Sequence, residues 1–381
     1  MDFLKTRIHC AAVTALLILS ASSCRDEAEI YRPDENQTGT AQRIPLTGFY
    51  LLNEGNMGSN KASLDRYTFA DAIYSRNIYA DANPDVPKEL GDVGNDLAVY
   101  GSRLWAVINC SNKVEVLDLK TARRIGQVDI PNCRYIAFDG PYAYVTSYAG
   151  PVEINPDYRQ RGFVARIDTL TLQETARTTV GYQPDGIAIA GGKIYVANSG
   201  GYMVPNYENT VSVIDAATME FEKNIEIAIN LDKIAAAPDG RLWVSSRGDY
   251  FDAPSQLFVC DPASGETVRK FDSPVSSMWL DGDSLYTVSS SFNYYTGNTE
   301  HSFAVFNTRT LEKECDNFIT DGSGSNIKTP YGVAVNPVTK EIYVCDATTY
   351  VNPGMLYCFS PDGKLKWSQR TGDIPAKIAF Y

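Results

Sequence analysis

Histidine is almost missing: of 381 residues only His9 and His301 carry an imidazole. His9 lies in the leader described below, so no histidine cluster for zinc, copper or haem can form. A Ser-His-Asp triad would have to use His301, which sits in a polar loop. Long apolar runs are scarce as well; the stretch over residues 11–19 is too short to span a bilayer as a mature helix. Positive charge is the third shortage, with 34 Lys and Arg against 46 Asp and Glu and a net charge of −12. Such a surface repels phosphate backbones, which argues against nucleic-acid binding.

What the chain does have is a repeat. Seven times an apolar residue, aliphatic or small except for Phe49, precedes Tyr or Trp within a β-prone run, at Tyr50, Trp105, Tyr144, Tyr195, Trp243, Tyr286 and Tyr343. The spacings are 55, 39, 51, 48, 43 and 57 residues, the range of a four-stranded propeller blade with variable loops. About fifteen residues after most of them comes a second strand-like run ending in Asp or Asn, at Asp118, Asp168, Asp215, Asp261 and Asn307. The fold class read from this pattern is all-β, a single seven-bladed propeller over residues 45–381. Residues 47–80 hold only three strands of the first blade, and residues 376–381 match an innermost strand. The C-terminal strand is therefore expected to join the N-terminal blade and close the ring.

Lys5 and Arg7 precede the apolar stretch, and small residues 20–23 lead to Cys24, the pattern of a signal peptide over residues 1–23. Its removal would take Asp2, Lys5 and Arg7 and leave a net charge of −13. Ala21-Ser22-Ser23-Cys24 resembles a bacterial lipobox, which implies acylation of Cys24 as the new N-terminus. The acidic pair Asp26-Glu27 resembles the export signal of Bacteroidetes surface lipoproteins, which implies an outer-membrane, cell-surface location through the lipid anchor. Residues 24–44 then read as the lipidated cysteine and a flexible, polar tether.

Six cysteines remain beyond Cys10 and Cys24. Cys110 follows a second strand and Cys133 precedes the next innermost strand, at the same end of neighbouring blades, so a Cys110–Cys133 bridge is favoured over two free thiols. Cys345 and Cys358 lie on adjacent strands and either pair or serve as small buried apolar residues.

Strand alternation puts the first-to-second and third-to-fourth connections on one face, and these are tight turns such as Gly191-Gly192 and Pro238-Asp239-Gly240. The opposite face carries long loops over residues 53–61, 148–162, 199–209, 247–255, 290–300 and 347–354, rich in Tyr, Phe and Asn. Loops on a rigid scaffold are where recognition concentrates, and clustered exposed aromatics imply a partner. Aligning the repeats also places Asn95, Arg134, Asp185, Asp232, Ser276 and Tyr331 at the start of successive innermost strands, near the axis on that face. This polar ring either solvates a channel or meets a ligand.

Catalytic chemistry finds little footing, and the chain reads as a non-enzyme. Asp185 and Asp232 could form a carboxylate pair facing a sugar, but neither sits in a catalytic motif. Arg247-Gly248-Asp249 spells an integrin tripeptide and reads as loop chemistry. The 321–326 loop lacks the spaced carboxylates of a calcium site, so no metal site is assigned.

Ile194-Tyr195-Val196-Ala197-Asn198, with Thr210-Val211-Ser212-Val213-Ile214-Asp215, resembles the YVTN repeat of YncE-like propellers. Further segments are similar to the BtuG-like surface lipoproteins, propellers of gut Bacteroidetes that capture vitamin B12 beside the transporter BtuB. These are Leu52-Asn53-Glu54-Gly55-Asn56-Met57-Gly58-Ser59-Asn60-Lys61, residues 89–96, Ser147-Tyr148-Ala149-Gly150-Pro151 and residues 199–207. The resemblance implies non-catalytic capture of cobalamin or related corrinoids, and transfer to a BtuB-type TonB-dependent transporter. No intrinsic cofactor is expected; cobalamin would be the bound ligand. A corrin has broad apolar faces and an amide rim, so tyrosines suit the faces and amides the rim. The ligand-binding residues expected are Asn53, Asn95, Arg134, Tyr148, Tyr202, Tyr207, Tyr250, Phe292, Tyr294 and Tyr331. Two other classes stay open: a lipoprotein that binds glycan or protein, and a carboxylate-dependent glycan enzyme.

Overall fold

A computed structural model describes residues 34–381, apart from 293, 296 and 298. The expected signal peptide, Cys24 and the first part of the expected tether lie outside the described residues. Seven antiparallel sheets follow one another along the chain, six of four strands and one of five. Blade II comprises Gly94–Tyr100, Arg103–Ile108, Lys113–Asp118 and Arg124–Asp129, and blades III to VII repeat this inner-to-outer order. Their innermost strands are Cys133–Asp139, Pro184–Ala190, Leu231–Ala236, Ser277–Asp281 and Pro330–Val335.

Blade I closes the ring. Its innermost strand is Pro375–Phe380, paired with Gly48–Asn53 in the register Phe49 to Phe380, Tyr50 to Ala379 and Leu51 to Ile378. Beyond this ladder, the Thr47 amide donates to the Tyr381 carbonyl at 2.7 Å and the Tyr50 and Tyr381 rings stack at 4.8 Å. Blade I also carries the fifth strand. Glu35–Gln37 pairs with Ile73–Ser75 on the outer edge, Asp34 forms an ion pair with Arg76 at 2.6 Å, and the Thr38 hydroxyl donates to Gln369 at 2.6 Å. The tether expected over 24–44 is thus shorter than its sequence implied, because residues from Asp34 onward belong to the propeller. Its strand is exposed at all three positions, so no apolar alternation announced it.

The repeating aromatic occupies the same place in each second strand, and six of the seven are buried, Tyr286 being half-buried. These rings fill the wedges between blades. Trp105 packs with Val107, Ile136 and Val145 across the boundary of blades II and III, and Trp243 stacks on Phe271 at 5.7 Å. The acidic strand ends have a local cause. The Asp118 carboxylate accepts from the amides of Lys120 and Thr121 and from the Thr121 hydroxyl, and Asp168 and Asp215 repeat the arrangement with Thr171 and Thr218. The residue after each threonine, Ala122, Leu172 or Met219, takes a left-handed conformation that returns the chain into the outer strand.

Two expectations are corrected. Cys110 and Cys133 are both free thiols. The Cys133 side chain turns into the apolar wedge between blades II and III, where its sulfur contacts the carbonyls of Ile108 and Lys113, while the Cys110 sulfur faces the Asn109 side chain. Cys345 and Cys358 are free and buried; they oppose Leu356 and Tyr343 rather than each other. The 290–300 segment, read as a loop, is largely a hairpin, with Ser290 paired to His301, Ser291 to Glu300 and Phe292 to Thr299.

Candidate functional site

The expected axial ring exists. Asn95, Arg134, Asp185, Asp232 and Tyr331 are each the second residue of an innermost strand, and Ser276 immediately precedes one. The next residue inward forms a second ring that sequence alignment of single positions missed: Asp96, Tyr135, Lys233 and Lys377, with the small residues Gly186, Ser277 and Gly332 between them. Gly186 and Gly332 are required there, since a Cβ at either would lie 2.5 and 2.2 Å from the carbonyls of Asp232 and Ala376. Extending the repeat alignment by one residue would have found this layer.

Charge on the axis is organised as a chain of ion pairs. Fully buried Asp185 accepts from Arg134 Nε at 2.9 Å, Arg247 Nη1 at 3.0 Å and the Tyr148 hydroxyl at 2.8 Å. Arg247 Nη2 continues to Asp232 at 2.8 Å, and Lys233 Nζ also reaches Asp232 at 2.7 Å. Burial alone would raise the Asp185 carboxyl, but Arg134 and Arg247, aided by Lys233 and the Tyr148 hydroxyl, hold it well below the usual carboxylate range. Glu54 shifts the other way. Burial pushes its carboxyl up against the hydrogen bond from Tyr331, 2.7 Å long, and the positive charges of Arg134, Lys233 and Lys377.

Above this floor lies a cavity of about 360 Å³, within the range of small-molecule sites. Its polar lining includes Glu54, Asn95, Arg134, Asp232, Lys233, Arg247 and Lys377, and serines 276, 277, 289, 290 and 291 form one side. Tyr250, Phe292, Tyr294, Tyr331 and Tyr350 supply the apolar wall. Outside the wall the aromatic surface continues: Phe251 stacks on Tyr294 at 5.3 Å and meets Tyr295 at 5.5 Å. Tyr294 and Tyr295 are 62% and 68% exposed, so this ledge faces solvent.

Of the ten expected ligand residues, Asn95, Arg134, Tyr250, Phe292, Tyr294 and Tyr331 line the cavity. Four do not. Asn53 is buried inside blade I, where its amide donates to Ser63 at 3.1 Å. Tyr148 is buried beneath the Arg134 guanidinium, 4.7 Å from its ring centre, and serves the ion-pair network. Tyr202 packs edge-on against Tyr148, and Tyr207 is half-buried beside the same loop. The structure adds Glu54, Tyr135, Lys233, Arg247 and Lys377 to the site. The Arg247-Gly248-Asp249 tripeptide is spent on the fold: Arg247 is paired at the axis, and the Asp249 carboxylate caps the amides of Phe251 and Ala253. Among the described residues, no group of three His, Cys, Asp or Glu could hold a metal ion, and no helix is long and apolar enough to cross a membrane.

Solved structures with this architecture are distant in sequence. A quinonprotein alcohol dehydrogenase-like protein from Bacteroides thetaiotaomicron superposes with a TM-score of 0.58 at 14% identity, over 88% of this chain and 78% of its own. Kuenenia stuttgartiensis hydrazine synthase gives 0.55 at 19% identity, over 71% and 77%, and the Neurospora crassa Pan2 WD40 domain gives 0.53 at 11%, over 75% and 81%. At these identities the likeness is one of fold. No protein of curated function matches the sequence. The sequence pattern of one family does match, over residues 47–364, which is nearly the whole propeller: the chain belongs to the DUF5074 family, a domain of unknown function.

Proposed function

We propose that this chain is a surface-anchored lipoprotein that captures cobalamin or a related corrinoid on the long-loop face and passes it to a BtuB-type TonB-dependent transporter. The observation that carries the reading is the pairing of an exposed aromatic ledge, Tyr250, Phe251, Phe292, Tyr294 and Tyr295, with an axial bowl lined by amide, hydroxyl and charged groups. A corrinoid needs both: flat apolar support for the faces of its macrocycle and hydrogen-bonding groups for its amide rim. Capture of a scarce nutrient calls for nanomolar affinity, about −12 kcal/mol. Contacts spread over several blades meet that requirement better than one loop. Asp185 is wholly buried, has its oxygens taken by Arg134, Arg247 and Tyr148, and does not line the cavity, which favours binding over glycoside hydrolysis by an Asp185–Asp232 pair.

Calorimetry of the full chain in detergent with cyanocobalamin tests the reading, with one-to-one nanomolar binding expected. No heat and no colour retained after desalting would remove it. The stacked, exposed Phe251 and Tyr294 also form a flat platform of the kind sugar rings cover. A glycan array tests that second reading.

A further inference from the structure

The floor of the axial cavity has more cationic donors than its carboxylates use. Lys233 Nζ, Lys377 Nζ and Arg134 Cζ converge on one ring, 4.7, 5.2 and 5.9 Å from the centre of Tyr135. The Lys377 ammonium has Asp96 as its carboxylate partner at 3.6 Å, too long for a hydrogen bond. Arg134 commits Nε to Asp185, while the other nitrogens of its guanidinium have no protein acceptor among the described residues. Four cationic side chains line the cavity beside the carboxylates of Glu54 and Asp232, with Asp185 and Asp96 paired to them from behind the lining. In a chain of net charge −12 this concentration is not a by-product of composition. Size is compatible with this: at about 360 Å³ the cavity has room for a projecting group of a corrinoid.

We propose that the axial cavity is an anion subsite that takes the phosphodiester joining a corrinoid's macrocycle to its lower base, held by Lys377, Lys233 and Arg134, while the macrocycle rests on the aromatic ledge. The inference rests on the corrinoid reading and deepens it. A phosphodiester offers these donors two non-bridging oxygens that share one negative charge, and the adjacent serine hydroxyls complete its hydrogen bonds.

The test compares three ligands by calorimetry on the full chain in detergent: cyanocobalamin, cobinamide phosphate, which keeps a phosphate but no base, and cobinamide, which has neither. The expected result is cobinamide weaker than cobinamide phosphate by about 10- to 100-fold, the worth of a hydrogen bond to a charged group. Lys377→Met removes most of that difference, and Lys377→Arg keeps it. Equal binding of cobinamide and cobinamide phosphate, with cyanocobalamin still bound, overturns the subsite and leaves corrinoid capture standing. Discrimination that survives in a folded Lys377→Met protein likewise overturns this assignment of donors. Failure of all three ligands to bind defeats both. If Lys377→Met does not fold, the wild-type comparison decides alone.

Discussion

Arg247 and Asp185 meet across the boundary of blades IV and V, Nη1 to Oδ2 at 3.0 Å, with the carboxylate wholly withdrawn from solvent. Sixty-two positions separate them in sequence, so the pair exists only once two blades have docked. Asp185→Asn leaves Arg134 and Arg247 without their shared counter-charge and should cost about 3–5 kcal/mol, read as a lower midpoint in urea denaturation. The same carboxylate sets a pH dependence. Its folded value lies below the ordinary 3.8, so the stability it confers is complete above that pH and is lost as the pH falls further. Melting temperature measured from pH 5 down to 2.5 should fall more steeply in the wild type than in Asp185→Asn.

Tyr148 separates a packing role from a ligand role. Tyr148→Phe removes the hydroxyl bonded to Asp185 and should destabilise the fold by about 1–2 kcal/mol while leaving cyanocobalamin affinity unchanged. A large loss of affinity with no loss of stability would return Tyr148 to the binding surface.

The ledge should behave in the opposite way. Phe292 and Tyr294 are 42% and 62% exposed, so truncating either to Ala should leave the melting temperature within a degree or two. If a corrinoid covers them, each change should weaken binding by about 10-fold or more, as for a buried aromatic anchor.

Thiol chemistry checks the corrected cysteines. Cys110 and Cys315, partly exposed, should react slowly with a maleimide in the folded protein, and Cys133, Cys260, Cys345 and Cys358 only after denaturation. A reduction-dependent shift in the mass of the Cys110–Cys133 peptide would reinstate the bridge.

Removing residues 376–381 strips the inner strand of blade I and uncovers Leu51 with the wedge toward blade VII and Tyr50 with the wedge toward blade II. The loss, roughly 5–10 kcal/mol of apolar burial, matches the whole stability of an ordinary domain. The truncated chain should unfold or associate through the open edge; a monomer with unchanged melting would contradict the closure.

The propeller was legible because its signals are local and repeat. The aromatic of each second strand and the turn aspartates recur seven and several times respectively, and each has a cause within a few residues of itself. The site was half legible. Asn95, Arg134 and Tyr331 followed from the register of the repeat, and Phe292 and Tyr294 from loop composition. Asn53 and Tyr148 misled because a residue beside a long loop can point inward, and only the three-dimensional packing of neighbouring blades decides which way. Lys233 and Lys377 carry no motif, and the tripeptide that holds Arg247 says nothing of its role; their meaning arises from partners on other blades, Tyr135, Asp96 and Asp185 respectively. Glu35–Gln37 escaped because an edge strand with polar residues on both sides has no period to read.

The pairing of Gly48–Asn53 with Pro375–Phe380 has a consequence for biogenesis. A ribosome delivers the first of these strands hundreds of residues before the second, so a nascent chain holds its opening module unlatched throughout synthesis. Final locking of the wheel waits on the closing segment's release, and until then a strand edge is available to chaperones or to a neighbouring copy.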